Sequence, residues 1–528
     1  MGVFISLRAS NKVDPVQWEK AYEETLLLVD WFKLINFQEF EKFGCKYVAA
    51  VKCQECQYPS GIGWCTVGEG VYMATAEDFF LPRKIGEPKI NEKYCDPLMY
   101  IYAQEGDINF ENPYVKGLRY LWDSKTQGEP YHIALLAIAC LLDDRLNGEV
   151  VCGSDITYGQ CEYAIELANK ILKKKIRMPL RCRIDDLYER VRKLPLNTDQ
   201  KLDAFAIMYL GIKDELYYKF VNERFSEEEQ YLFIKKKMNN YSLGMYGFAN
   251  DLQEILSYNI PIVKICSAFL EMDVKKKNLV KSDEEAFKFF IESILDTDIY
   301  LPEKDMRDCL KVDESTPETM SVEKLLASVM FMSARNRSVA RYIPLEDLKS
   351  QFDLAFGDKC DVNGIINNYL KEKLTKLKKE KKDFRTELND AHDAFNNKID
   401  AKKEKYDIIV SNHIIFYKTG KSFSPEILKV IESGMEFFGD LLKEPTFAEL
   451  SQKDYKEQCR FLETHNRSLK LMNSVWLKIF DNIENDPTCF KRYYPMVRIK
   501  ITNDTIHNFV RAYVENDDFY DFCQTLAP

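Results

Sequence analysis

The stretch Ile365–Tyr406 constrains the fold more than any other part of this chain. Leu370, Leu374, Leu377, Phe384, Leu388, Ala391 and Phe395 recur on an alternating four-three spacing, with Lys381 at the one polar seam position among them. That is the a/d pattern of a heptad helix, sustained for between three and four heptads. A continuous helix over this stretch spans roughly 60 Å at 1.5 Å per residue. A greasy seam of that length cannot stay bare in water, so the pattern predicts a covering helix from the same chain or from a second copy. Covering it within one chain avoids the entropy that association costs, and an internal bundle is the expected arrangement. The seam implies packing; it implies no reaction.

A chain of 528 residues is too long for one core. The periodicity divides it into a mixed α/β domain over 1–195, an all-α domain over 196–360, and the long coiled-coil-like helix with a C-terminal helical bundle over 361–528. The fold class is α+β. In the first third, Val3–Arg8, Lys46–Lys52, Trp64–Val67, Leu98–Gln104 and Glu149–Cys152 read as strands. Asp14-Pro15 and Thr157 with Gln160 open helices as cap signatures. From Leu196 the apolar period becomes 3.6, giving helices at Asp199–Leu210, Ser226–Met238, Leu243–Tyr258, Ile262–Met272, Asp283–Leu295, Ser321–Ser333 and Leu345–Phe356. Ile408–Val410 and Ile414–Tyr417 read as a small hairpin. Glu449–Asn482 and Asp504–Phe522 read as two further helices, the natural partners of the heptad seam.

Composition narrows the function classes. A net charge of −10 argues against nucleic-acid binding by bulk positive charge, although Lys371–Arg385 is locally basic. No run of about 18 apolar residues exists, which predicts no spanning helix and no membrane partner. Fifteen cysteines, an odd number without a disulfide framework, fit reduced thiols and a cytoplasmic location. The excess of lysine over arginine points to an AT-rich genome, and a bacterial source is the expectation.

Cofactor motifs are missing apart from one metal candidate. Cys53 and Cys56 form C-x-x-C, half of a zinc site, and Cys65 could be brought opposite Cys56 by a turn at Ser60-Gly61; paired half-buried thiols are the alternative. Asp143, Asp144 and Asp155 flank a strand-to-helix junction, where α/β folds gather ligands beside helix N-termini; they serve equally as solvated acids and caps. Arg335, Arg337 and Arg341 form a compact basic group suited to phosphate or carboxylate, or to a helix C-terminal dipole.

Arg460 and His465 stand as R-x4-H, and Arg385 and His392 as R-x6-H. This spacing resembles the R-x4-6-H signature of HEPN-type nucleases, helical bundles that dimerise to pair two such motifs. The resemblance implies that Arg460 and His465 are catalytic, helping to activate a ribose 2′-hydroxyl and stabilise the phosphorane; Phe461 departs from the polar residue usual beside that arginine. Three functions remain open. The leading one is a binding or scaffold protein that docks a protein partner or a second copy through its helical region. The others are a HEPN-like ribonuclease of a bacterial defence or toxin system, and a small-ligand sensor acting through the N-terminal domain.

Overall fold

A computed structural model describes residues 3–87, 93–106, 108–277, 282–300, 339, 341–373, 414–501 and 504–526. Sheets with helices come first and helices dominate afterwards, as the α+β class requires. Of the heptad stretch, residues 365–373 are helical and Leu370 is half-buried. The seam from Leu374 onward lies outside the described residues, as do Pro302–Glu318, Ser321–Ser333, Ile408–Val410, Arg335, Arg337, Arg385 and His392.

Contacts gather the chain into two units instead of three consecutive domains: Met1–Pro97 with Gly117–Pro179 and Asp390–Pro528, and Leu98–Lys116 with Leu180–Asn389. In the first unit β1 (Phe4–Ala9) is central in a three-stranded antiparallel sheet, between β7 (Arg119–Lys125) and β8 (Val150–Ser154). A second antiparallel sheet runs β3 (Cys45–Lys52), β2 (Leu34–Lys42), β5 (Gly61–Glu69), β4 (Cys56–Tyr58), with β6 (Thr75–Pro82) also on β5. Helix α1 (Pro15–Trp31) starts as read: Asp14 accepts from the Gln17 amide and Pro15 fills the first turn. Helix α4 (Tyr131–Arg145) is buried nearly all round, packing on α1, β8 and α5 (Tyr158–Ala168). That explains a sequence apolar on every side.

The C-terminal helices complete this unit. Helices α15 (Pro425–Leu441), α16 (Tyr455–His465), α17 (Asn473–Asn485), α18 (Asp504–Glu515) and α19 (Asp517–Leu526) share one core with Tyr47 and Ala49 of β3. Glu449–Asn482 is therefore not one helix: between α16 and α17 the chain leaves the helix, and the Ala50 amide donates to the Leu471 carbonyl at 2.9 Å. Asp504–Phe522 breaks at Asn516, whose side chain accepts from the Phe519 amide and donates to the carbonyls of Ile415 and Tyr417. Residues 414 and 415 are helical, not a hairpin strand.

The second unit is helical. Leu98–Gln104, read as a strand, is helix α2 (Pro97–Glu105). With α3 (Pro113–Lys116), it belongs to this unit, together with α6 (Ile184–Lys193), α7 (Thr198–Met208), α8 (Glu215–Arg224), α9 (Glu227–Met238), α10 (Tyr246–Ser257), α11 (Ile262–Leu270), α12 (Val274–Lys277), α13 (Asp283–Leu295) and α14 (Leu345–Phe356). Phe205, Tyr209 and Tyr217 stack nearly parallel in its core at centroid separations of 5.0–6.0 Å.

Candidate functional site

The residues singled out from the sequence are largely committed to holding the fold. Cys53 is buried and donates its thiol to the Cys65 carbonyl at 3.1 Å. Burial pushes the Cys53 thiol up to about 12 and the Cys65 thiol up to about 11. The register sets Cys56 opposite Gly63 and Cys65 opposite Phe80. Among the described residues no group of three or more His, Cys, Asp or Glu side chains is placed to hold a metal.

The three aspartates do not converge. Asp144 closes α4 and pairs with Arg145 at 2.8 Å and Arg177 at 2.9 Å, beside the equally buried Asp143. Asp155 follows β8, accepts from the Phe4 amide at 2.8 Å and acts on His132 in the first turn of α4. Residues 132 and 144 lie roughly 18 Å apart along that helix. Arg341 donates to the carbonyls of Tyr258 and Ile260 at 2.7 and 2.6 Å, serving the C-terminal end of α10. Burial alone pulls its pKa down to about 10.

Arg460 and His465 are both exposed on α16. Arg460 donates from Nε and Nη2 to the Phe43 carbonyl. His465 Nδ1 lies 2.9 Å from both the Phe461 carbonyl and Thr464 Oγ1, with its ring stacked on Phe461. Five residues of helix turn the two side chains about 140° apart, so one chain does not bring them onto a common face.

A different surface is assembled in the second unit. No known protein family, curated protein or solved structure matches this chain. Its site must therefore be read from geometry alone.

The loop between α9 and α10 and the first residue of α10 display Tyr241, Met245 and Tyr246, which are 43, 50 and 65% exposed; Val274 at the start of α12 is 68% exposed. These apolar groups stand on a braced backbone. The Leu243 amide donates to the Lys276 carbonyl at 3.0 Å, and the Asp273 amide to Asn239 Oδ1 at 3.0 Å. Lys276 Nζ donates to the carbonyls of Asn239 and Asn240 at 2.6 and 3.1 Å. Behind the loop, Asp251 accepts from Asn240 at 2.9 Å and Lys237 at 3.1 Å, and Glu254 accepts from Lys237 at 2.8 Å and Lys213 at 3.1 Å. Burial opposes the Glu254 charge, yet Lys213 and Lys237 hold its carboxyl below the usual range.

Two glycines shape this surface, Gly244 in the loop and Gly247 in the first turn of α10. Gly244 adopts φ +82°, left-handed backbone that a side chain resists. A Cβ on Gly247 would fall 2.6 Å from the Tyr241 ring, so that ring lies against bare backbone. The helix read over Leu243–Tyr258 forms from Tyr246, three residues later than read, with Met245 as its N-cap, so Leu243 to Met245 belong to the preceding loop. Gly244 in Tyr-Ser-Leu-Gly-Met-Tyr-Gly is the sequence signal that marks the turn before the helix.

Proposed function

We propose that this protein is a binding protein that docks an amphipathic, acid-flanked helical segment of a partner protein on Tyr241, Met245, Tyr246 and Val274. The observation carrying the reading is the exposure of two tyrosines and a methionine on a loop, and on the helix start that follows it, with the loop cross-braced to α12. Tyrosine and methionine are enriched in interface centres, and methionine adapts its shape to a partner. A platform already ordered before binding loses little further entropy on docking. Val274 is followed by Lys275, Lys276 and Lys277, so acidic residues beside the partner's apolar stripe find complementary charge. The fourteen described cysteines are all free thiols, which supports a reducing, cytoplasmic setting.

The test titrates the intact protein into fluorescent amphipathic peptides with acidic or basic flanks. Acid-flanked peptides are expected to bind, and the double variant Met245→Asp, Tyr246→Asp to weaken them at least tenfold, or about 1.4 kcal/mol, with thermal melting unchanged. Equal affinity in the variant, a preference for basic flanks, or binding only to vesicles of anionic lipid would contradict the proposal. Self-association through the loop, abolished by the same variant without any peptide binding, would contradict it too.

A further inference from the structure

Glu463, in the last turns of α16, is 5% exposed, and neither carboxylate oxygen has a hydrogen-bond partner. Buried carboxylates are ordinarily paired, and two cations stand close enough to act on this one. They are Lys42, the last residue of β2, and Arg460, one turn earlier on α16. Both are engaged elsewhere. Arg460 donates twice to the Phe43 carbonyl, at 3.1 and 2.9 Å. Lys42 Nζ lies 5.4 Å from the Phe43 ring centroid and 4.8 Å from that of Phe480, distances at which ring faces hold a cation. Of the other titratable groups nearby, Tyr47 of β3 and Cys459 of α16 both feel the Glu463 charge, and Glu484 of α17 also acts on Cys459. Among the described residues, Lys42 and Arg460 are the cations that act on the carboxyl.

The turn of the β2–β3 hairpin is thus held to α16 through Arg460 and to Phe480 of α17 through Lys42, and both cations sit beside a carboxyl without pairing to it. We infer that Glu463 is a proton-controlled latch for this hairpin. In the protonated state the neutral carboxyl rests in the core and Lys42 stays on the aromatic faces. When the proton leaves to solvent, the carboxylate takes the Lys42 ammonium as an ion pair and draws it away from Phe43 and Phe480. Burial pushes Glu463 up to about 7, with Lys42 and Arg460 pulling the other way, so the transition falls near neutral pH.

An infrared difference spectrum of the intact protein between pH 5.5 and 8.5 tests the latch. A carboxylic-acid C=O band should disappear with a midpoint near 7. The band should be absent in Glu463→Gln. In Lys42→Met its midpoint should rise by at least half a pH unit, because the cation that favours the charged form is gone. The Lys42→Met arm reads the native carboxyl and stands even where Glu463→Gln does not fold. No band in that window, a band that survives Glu463→Gln, or a midpoint unmoved by Lys42→Met would overturn the inference.

Discussion

Arg341 shows how a residue picked for its charge can be a structural donor. Its guanidinium is half-buried and is pointed at two main-chain carbonyls just past α10, Tyr258 and Ile260. Those carbonyls lie at the negative end of the helix dipole, and burying a cation there is tolerated because it satisfies both. Arg341→Met should leave both acceptors without this donor and cost about 2–3 kcal/mol, read from the shift of the urea unfolding midpoint. A loss below about 0.5 kcal/mol, the range of an ordinary surface change, would contradict this role. The charge of Arg341 was legible from the sequence. Its use was not, because the acceptors lie some eighty positions earlier in the chain. Cys53 makes the same point: C-x-x-C spacing marks a pair, but only the fold shows its thiol turned to the Cys65 carbonyl.

Among the elements, cap residues were the most dependable signals. Asp14-Pro15 and the Thr157–Gln160 box each open a helix as read, because a cap is satisfied locally. Apolar periodicity misled where tertiary pairing overrode it. Cys459, Leu462, Leu469, Trp476 and Phe480 are all buried in one core, as a continuous seam would bury them. Yet the chain between α16 and α17 leaves the helix: Asn466 turns it back onto Leu469, and Ala50 on the outer edge of β3 donates to the Leu471 carbonyl. Leu98–Gln104 failed differently: tyrosine and isoleucine favour strands, but Pro97 at the helix start and burial of nearly the whole segment made it α2. The exposed loop was illegible because periodicity cannot tell an aromatic on the surface from one in the core. Its shape makes a direct expectation at Gly247. Gly247→Ala should push the Tyr241 ring aside and weaken peptide binding several-fold while changing the melting temperature little, since the displaced atoms belong to a movable side chain. Unaltered binding with an unaltered fold would show that the Tyr241 position is immaterial.

At the scale of the whole molecule, the chain leaves and re-enters its first unit. Residues 98–116 belong with the helical unit although both flanks belong with the sheets, and the C-terminal helices share a core with β3. A reading by consecutive composition draws three domains and cannot see such returns, which depend on contacts hundreds of residues apart, such as Tyr47 Oη donating to Asn473 Oδ1 at 2.9 Å. Among the described residues no helix is long and apolar enough to cross a membrane, and the proposed binding surface lies on the helical unit. Hydrogen–deuterium exchange on the intact chain, with and without an acid-flanked amphipathic peptide, tests that claim most directly. Protection confined to residues 239–247 and 273–277 is the expected result. Protection elsewhere, with those two segments unchanged on peptide binding, would contradict it.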